Sequence, residues 1–281
     1  MKMMVSSMIE NHPITNCIAI AAGKGGVGKS SVSVNLALSL AAGGARVGIL
    51  DADLYGPSIG KMLPISRGIE ESDGWIIPAE GLGLHYISLA HFPLGKQATI
   101  VRAPIANQII SEFLVAVKWP KLDFLFIDFP PGTGDIQLTL MQKASLVGAI
   151  LVTTPQEVAL LDVKKAYAMF KEMQVPILGV IENMSYFEES SLARVYPFGQ
   201  GGGRSFCDQF DLKLLGEIPI DPHISSCCDL GESLLEKFPG SSAAVVFEKI
   251  AKDLHLSLLK SKLEKQGIVE FFELIWDEKL S

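Results

Sequence analysis

The chain has 281 residues, 48% hydrophobic and 20% charged, which suits a globular protein of one large domain or two small ones. Its 24 basic and 31 acidic residues leave a net charge of −7, so nothing supplies the basic stripe of a nucleic-acid footprint. No run reaches the roughly 18–20 apolar residues of a membrane span, and MKMMVSSMIENHPITN at the N-terminus lacks the long apolar core of a signal peptide.

Residues 1–16 read as an N-terminal extension, and the first strand is CIAIAA, 17–22. GKGGVGKS follows, Gly23 to Ser30, and fits G-x-x-x-x-G-K-[ST] between a strand and a helix, the context that a phosphate-binding loop requires. Its glycines let backbone N–H groups close around phosphate oxygens, and the helix N-terminus adds partial positive charge. The expected nucleotide contacts are Gly23, Lys24, Gly25, Gly26, Val27, Gly28, Lys29, Ser30 and Ser31. Lys29 is placed to reach the β- and γ-phosphates and Ser30 to ligate Mg²⁺. Lys24 is a second lysine inside the loop, and SVSVNLALSLAAGG (31–44) is a helix with Gly43-Gly44 as its stop signal.

RVGIL (46–50) is the next strand, and LDADLYGPS puts Asp51 and Asp53 at its end, where ligands of open α/β sheets gather. Asp51 is expected close to Mg²⁺ and Asp53 to orient the attacking water. LHYISLA (84–90) and DFLFID (123–128) are further strands, the latter delivering Asp128 as a second Mg²⁺ ligand. PPGTG then forms a loop suited to sense the γ-phosphate. The strands GAILVTT (148–154), VPILGVIE (175–182) and KLLGEI (213–218) alternate with helical patterns over 158–173 and 242–265. Most strands are apolar on both faces. The prediction is a doubly wound α/β domain over 17–258, with a mostly parallel sheet and helices on both sides. A C-terminal tail, 259–281, contains QGIVEFFELIWDEKLS, which as a helix carries one broad apolar face and an acidic one. That face suits packing on the domain or a partner better than a membrane surface.

KGGVGKS resembles the signature of the deviant Walker A ATPases, the class of the MinD and ParA proteins. That resemblance implies a homodimer enclosing two nucleotides, with Lys24 acting across the interface. LDADLYGPSIGKML, IDFPPGTGDIQLTL, VTTPQEVALLDVKKAYAMF, GVIENMSYF and FGQGGG…LLGEIPIDP narrow it to the Mrp/ApbC family, ATPases implicated in carrying iron–sulfur clusters to apoproteins. The likeness runs from about residue 17 to 258. It implies a slow ATPase with ATP and Mg²⁺, and iron–sulfur assembly proteins or apoprotein clients as partners. No nucleic-acid or membrane partner is expected, and a cytoplasmic location is the expectation. It also implies that Asn183 contacts the adenine edge and that Pro219, Ile220 and Asp221 line the base. An additional N-terminal domain, common in the family, is not expected ahead of the first strand.

One segment departs from the family. Cluster-binding members carry a CxxC pair shortly after ENMSYF, and two subunits then supply four thiolates. Here Glu188 to Phe198 contains no cysteine, and 182–199 reads as a long polar loop. The cysteines are Cys17, Cys207, Cys227 and Cys228; adjacent Cys227 and Cys228 are awkward as paired ligands, and no cluster ligand is assigned. An iron–sulfur cluster is thus implied by the family and opposed by this loop. The alternative function is a positioning switch of the partition type, which carries no group.

Overall fold

The computed structural model describes residues 14–54, 56–88, 103–189 and 193–265. Residues 1–13 of the expected extension 1–16, the last part of the expected strand 84–90, and residues 266–281 of the expected tail 259–281 lie outside the described residues; β1 begins at Ile14, three residues before the expected start.

Among the described residues, eight strands form one sheet in the order β12-β9-β8-β1-β7-β2-β6-β5. The central strands are β1 (Ile14–Ala22), β2 (Val47–Asp51), β7 (Leu122–Asp128), β8 (Gly148–Thr153) and β9 (Ile177–Glu182). The flanks are β6 (Leu84–Ser88) and β12 (Leu214–Glu217). All pair in parallel; only β5 (Ala79–Gly81), at the edge, runs antiparallel to β6. A short β3–β4 hairpin (Glu70–Ser72, Trp75–Ile77) stands off the sheet.

Side-chain alternation along the central strands builds two cores. Ile18, Ile20, Phe124 and Phe126 face one side, with helix α1 (Lys29–Ala42) and helix α9 (Ser242–Lys265) packed over them. Ala19, Ala21, Leu125 and Ile127 face the other, under α3 (Ala103–Ala116), α4 (Asp135–Lys143), α5 (Glu157–Glu172) and α6 (Gly202–Phe210). Burial on both faces explains why these strands read as unbroken apolar runs. Each fully buried Ile or Phe contributes roughly 1.5–3 kcal/mol, so the central strands are the most expensive part of the fold to displace.

Short elements complete the chain: α2 (Ile59–Met62), α7 (Pro222–Leu230) and α8 (Leu234–Lys237). Helix α1 stops at Gly43-Gly44 as expected, with Gly44 N–H bonded to the Ala41 carbonyl and Ala45 N–H to that of Leu40. Helix α9 spans 242–265 without interruption, so the expected boundary at 258 falls inside a helix. No helix among the described residues is long and apolar enough to cross a membrane.

The segment after Asn183 is not a plain loop. Strands β10 (Phe187–Glu188) and β11 (Arg194–Val195) pair antiparallel as a small hairpin, whose tip at 190–192 lies outside the described residues. Two residues per strand are too few for a periodic sequence signal.

Candidate active site

The parallel register decides the site. Strand β7 lies between β1 and β2, with Asp128 level with Ile20 on one side and Asp51 on the other. Both carboxylates are therefore at the same end of the sheet, beside the loop that joins β1 to α1.

That loop brings its lysine and hydroxyls onto Asp128. Lys29 Nζ lies 2.6 Å from Asp128 Oδ2, and Ser30 Oγ donates to the same oxygen at 2.6 Å. Ser33, one turn further along α1, donates to Oδ1 at 2.6 Å. Asp128 is fully buried and Lys29 is 7% exposed, so the pair is held away from bulk water and its geometry is fixed. Ser33 was not singled out in the sequence; its place four residues after Lys29, on the same helix face, is the signal that points to it.

Two glycines of the loop have distinct reasons. Gly28 sits at φ +80°, a left-handed conformation, and a Cβ there would lie 2.3 Å from Asn183 Nδ2. Gly23 is required by packing: a Cβ would fall 2.1 Å from the backbone of Asp162, so α5 approaches the loop at a distance only glycine permits. Gly25 and Gly26 face open space and are exposed, Val27 is buried, and Lys24 and Ser31 are half-buried.

Asp51 sits beside Asp128, level with it on the neighbouring strand. It is fully buried, and its oxygens accept from Ser88 Oγ at 2.8 Å, Ile59 N–H at 3.2 Å and Asp53 N–H at 3.2 Å. Burial, then the Asp128 carboxylate beside it, push its pKa up to about 7. With three donors on two oxygens, Asp51 fastens the segment 53–59 to the sheet rather than presenting a free face. Strand β2 ends at Asp51, so Asp53 is positioned by the following turn, where Gly56 N–H donates to its Oδ1 at 3.2 Å. Asp53 looks into a pocket of about 240 Å³ shared with Pro130, Pro131, Gly134, Asp135, Ile136 and Gln137. The turn and the PPGTG loop thus face each other across this pocket.

Asn183 follows β9 and is buried against the phosphate loop, where its Nδ2 donates to the Val27 carbonyl at 2.9 Å. One amide proton is thus committed to the loop. Its neighbour Glu182, also fully buried, accepts from Ser185 Oγ at 2.5 Å and from Gly203 N–H at the start of α6. The sequence reading passed over Glu182, because a carboxylate ending a buried strand carries no local motif. Ile220 N–H bonds the Tyr186 carbonyl at 2.6 Å, which ties the 219–221 segment to the one after Asn183. Pro219 is buried, and Asp221 caps α7 by accepting from His223 N–H at 2.9 Å.

The cysteines are interior groups. Cys207, Cys227 and Cys228 are buried, and Cys228 Sγ accepts from Asn35 on α1 at 3.9 Å. Burial pushes the Cys17 thiol up to about 12 and Cys207 to about 11, and raises Cys227 and Cys228 as well. The four sit on three separate elements, β1, α6 and α7. The hairpin instead places the Arg194 guanidinium 4.0 Å over the Tyr186 ring and 3.6 Å from Glu188 Oε1, and Ser242 donates to Glu188 Oε2. Among the described residues no three His, Cys, Asp or Glu side chains converge as a metal site.

Comparison with known proteins agrees with this architecture. The ParA family model, described as NUBPL iron-transfer P-loop NTPase, matches residues 13–255. The iron-sulfur cluster carrier protein of Aquifex aeolicus is 46% identical over 245 residues, covering 86% of this chain and 67% of that one. A nucleotide-binding protein from Archaeoglobus fulgidus, solved with ADP, superposes with a TM-score of 0.70 at 37% identity, over 85% of this chain and 97% of its own. The septum site-determining protein MinD of Pyrococcus horikoshii, solved with Mg-ADP, gives 0.64 at 25% identity, over 85% and 95%. The likeness to the Mrp/ApbC ATPases and to the MinD and ParA class, read from motifs, therefore holds over most of the sequence. The chain belongs to the ParA family of NUBPL-type iron-transfer P-loop NTPases.

Proposed function

We propose that this chain is a slow ATPase that works as a homodimer in the cytoplasm, in the assembly or transfer of iron–sulfur clusters to apoproteins. The observation that carries the nucleotide part is the convergence of Lys29, Ser30 and Ser33 on the buried Asp128 carboxylate. These groups fit a magnesium nucleotide. Ser30 Oγ and Asp128 are hard oxygen donors 2.6 Å apart, and Mg²⁺ ordinarily takes one or two protein ligands besides phosphate oxygens. When bound, the ion neutralises charge on the β- and γ-phosphates. Asp51 acts at one remove, by holding Ser88 and the 53–59 segment in place.

The protein's own residues supply the rest. Loop N–H groups from Gly25 to Ser31 cradle the phosphates, and Lys29 stabilises negative charge on them. Asp53, across the pocket from the PPGTG loop, orients the attacking water. Lys24 reaches the nucleotide of the second subunit, in the manner of an arginine finger. Asn183 uses its remaining amide groups for adenine, with Pro219, Ile220 and Asp221 beside the base. An amide offers both a donor and an acceptor to adjacent ring positions.

The cluster is cargo, and the relatives' carrier function supplies this part of the reading. No described cysteine is placed to hold it. The thiolates come from a partner, either the assembly protein that donates the cluster or the apoprotein that receives it. Phosphate release from Mg·ATP, run beside cluster transfer from a loaded donor to a [4Fe–4S]-requiring apoprotein, tests both halves. Turnover with nucleotide-dependent transfer is expected. Absence of turnover contradicts the ATPase, and transfer indifferent to the chain contradicts the assembly role.

A further inference from the structure

We propose that Gln137 is a positioning residue that sets the shape of the Pro130–Gly134 loop, and thereby the discrimination between ATP and ADP. This rests on the nucleotide reading above. Gln137 is 4% exposed and occupies the third position of α4. Among the described residues, its side-chain hydrogen bonds go to the backbone of one loop. Nε2 donates to the Pro130 carbonyl at 3.1 Å and to the Pro131 carbonyl at 2.9 Å, while Oε1 accepts from Gly134 N–H at 2.8 Å.

The loop needs such a clamp. It has no regular structure, and its two prolines have no N–H to offer a neighbouring strand. Its start is tied down by Phe129 N–H on the Ile20 carbonyl at 2.9 Å, and its middle by Gly132 N–H on the Ala22 carbonyl at 3.3 Å. Between those anchors and α4, the Gln137 amide gathers the carbonyls of 130 and 131 and the N–H of 134 onto one side chain. The same residues line the pocket that Asp53 faces. A loop set there meets the terminal phosphate, which ATP has and ADP lacks.

A simpler role would be helix capping, since a Gln at the third helical position commonly reaches back to the N-cap N–H. That role uses Oε1 alone. The two bonds from Nε2 go to residues six and seven positions earlier, outside any cap. Only an amide fills both demands, because it carries an acceptor and two donors. A carboxylate would keep the cap and turn oxygens toward two carbonyl oxygens.

Gln137→Glu therefore separates the two roles, and Gln137→Met removes both. Each is compared with wild type for kcat, for affinity toward a non-hydrolysable ATP analogue and toward ADP, both with Mg²⁺, and for melting temperature. We expect both variants to bind the analogue about tenfold more weakly and to lose about tenfold in kcat, the scale of one or two lost hydrogen bonds. ADP affinity stays near wild type. A Gln137→Glu variant with wild-type kcat and analogue affinity would reduce Gln137 to a cap and overturn the proposal. So would equal losses for analogue and ADP, which a general loosening of the fold produces. A wild-type chain that bound both nucleotides without turnover would count against the ATPase reading, while the ratio of the two affinities would still decide the role of Gln137.

Discussion

The sheet end around Asp128 and the hairpin after Asn183 use polar side chains in opposite ways. At the sheet end, a lysine and two hydroxyls are drawn inward to one buried carboxylate, and parallel register fixes where each can be. On the hairpin, Arg194 and Glu188 pair on the surface, and Phe187 and Val195 are exposed. In the first region, loss of either Lys29 or Asp128 leaves a buried charge unmatched. The second can trade side chains at little cost to the fold. That difference marks where this chain can vary: the buried cluster at the sheet end is constrained, while the segment from Glu188 to Phe198, which contains no cysteine, is not.

Substitutions at the sheet end should have the largest effects. Lys29→Ala should cut turnover about a thousandfold and weaken nucleotide binding, measured by phosphate release and calorimetry. Asp128→Ala leaves the Lys29 ammonium buried without its carboxylate. It should cost about 3–5 kcal/mol of stability in urea denaturation, and Asp128→Asn should cost less because it can still accept hydrogen bonds. Lys24→Ala should lose about a hundredfold in turnover and keep nucleotide affinity. Equal activity of Lys24→Ala and wild type would remove the idea of a lysine acting across the dimer.

The hairpin should respond weakly. Arg194→Ala gives up one cation–π contact and one surface ion pair and should cost only about 0.5–1 kcal/mol, with turnover unchanged. A loss as large as that of Asp128→Ala would break the contrast between the regions. The smallest effect is expected at the exposed Arg46–Asp123 pair, which joins the loop before β2 to β7. Hydrogen bonds from Arg46 hold the Asp123 pKa down to about 2, below its ordinary 3.8. The stabilisation is complete above pH 4 and is lost as pH falls through 2. The small difference in melting temperature between wild type and Arg46→Ala at pH 7 should therefore narrow as pH falls toward 2 and close below it.

Much of this was legible in the sequence, for physical reasons. Strands buried on both faces announce themselves as apolar runs, and GKGGVGKS between a strand and a helix allows few other structures. Strand β5 and the β3–β4 hairpin were missed because three-residue strands carry no period. Helix α4 was hidden behind the loop motif that precedes it. Long-range partners were the least readable. Ser88 meets Asp51 from 37 residues away, and Glu182 meets Gly203 from 21. Gly23 illustrates the same limit: its motif suggests phosphate, while its packing is against the backbone of Asp162.

On the proposed reading, this chain carries the groups for ATP hydrolysis and lacks the thiolates for a cluster. Anaerobic reconstitution with iron and sulfide, followed by visible absorption, metal and sulfide analysis and ATP turnover on the same sample, tests both halves at once. Turnover that Lys24→Ala lowers about a hundredfold is expected, with no cluster at stoichiometric level per dimer. A stoichiometric cluster on the isolated chain, or an absence of turnover, would overturn this reading.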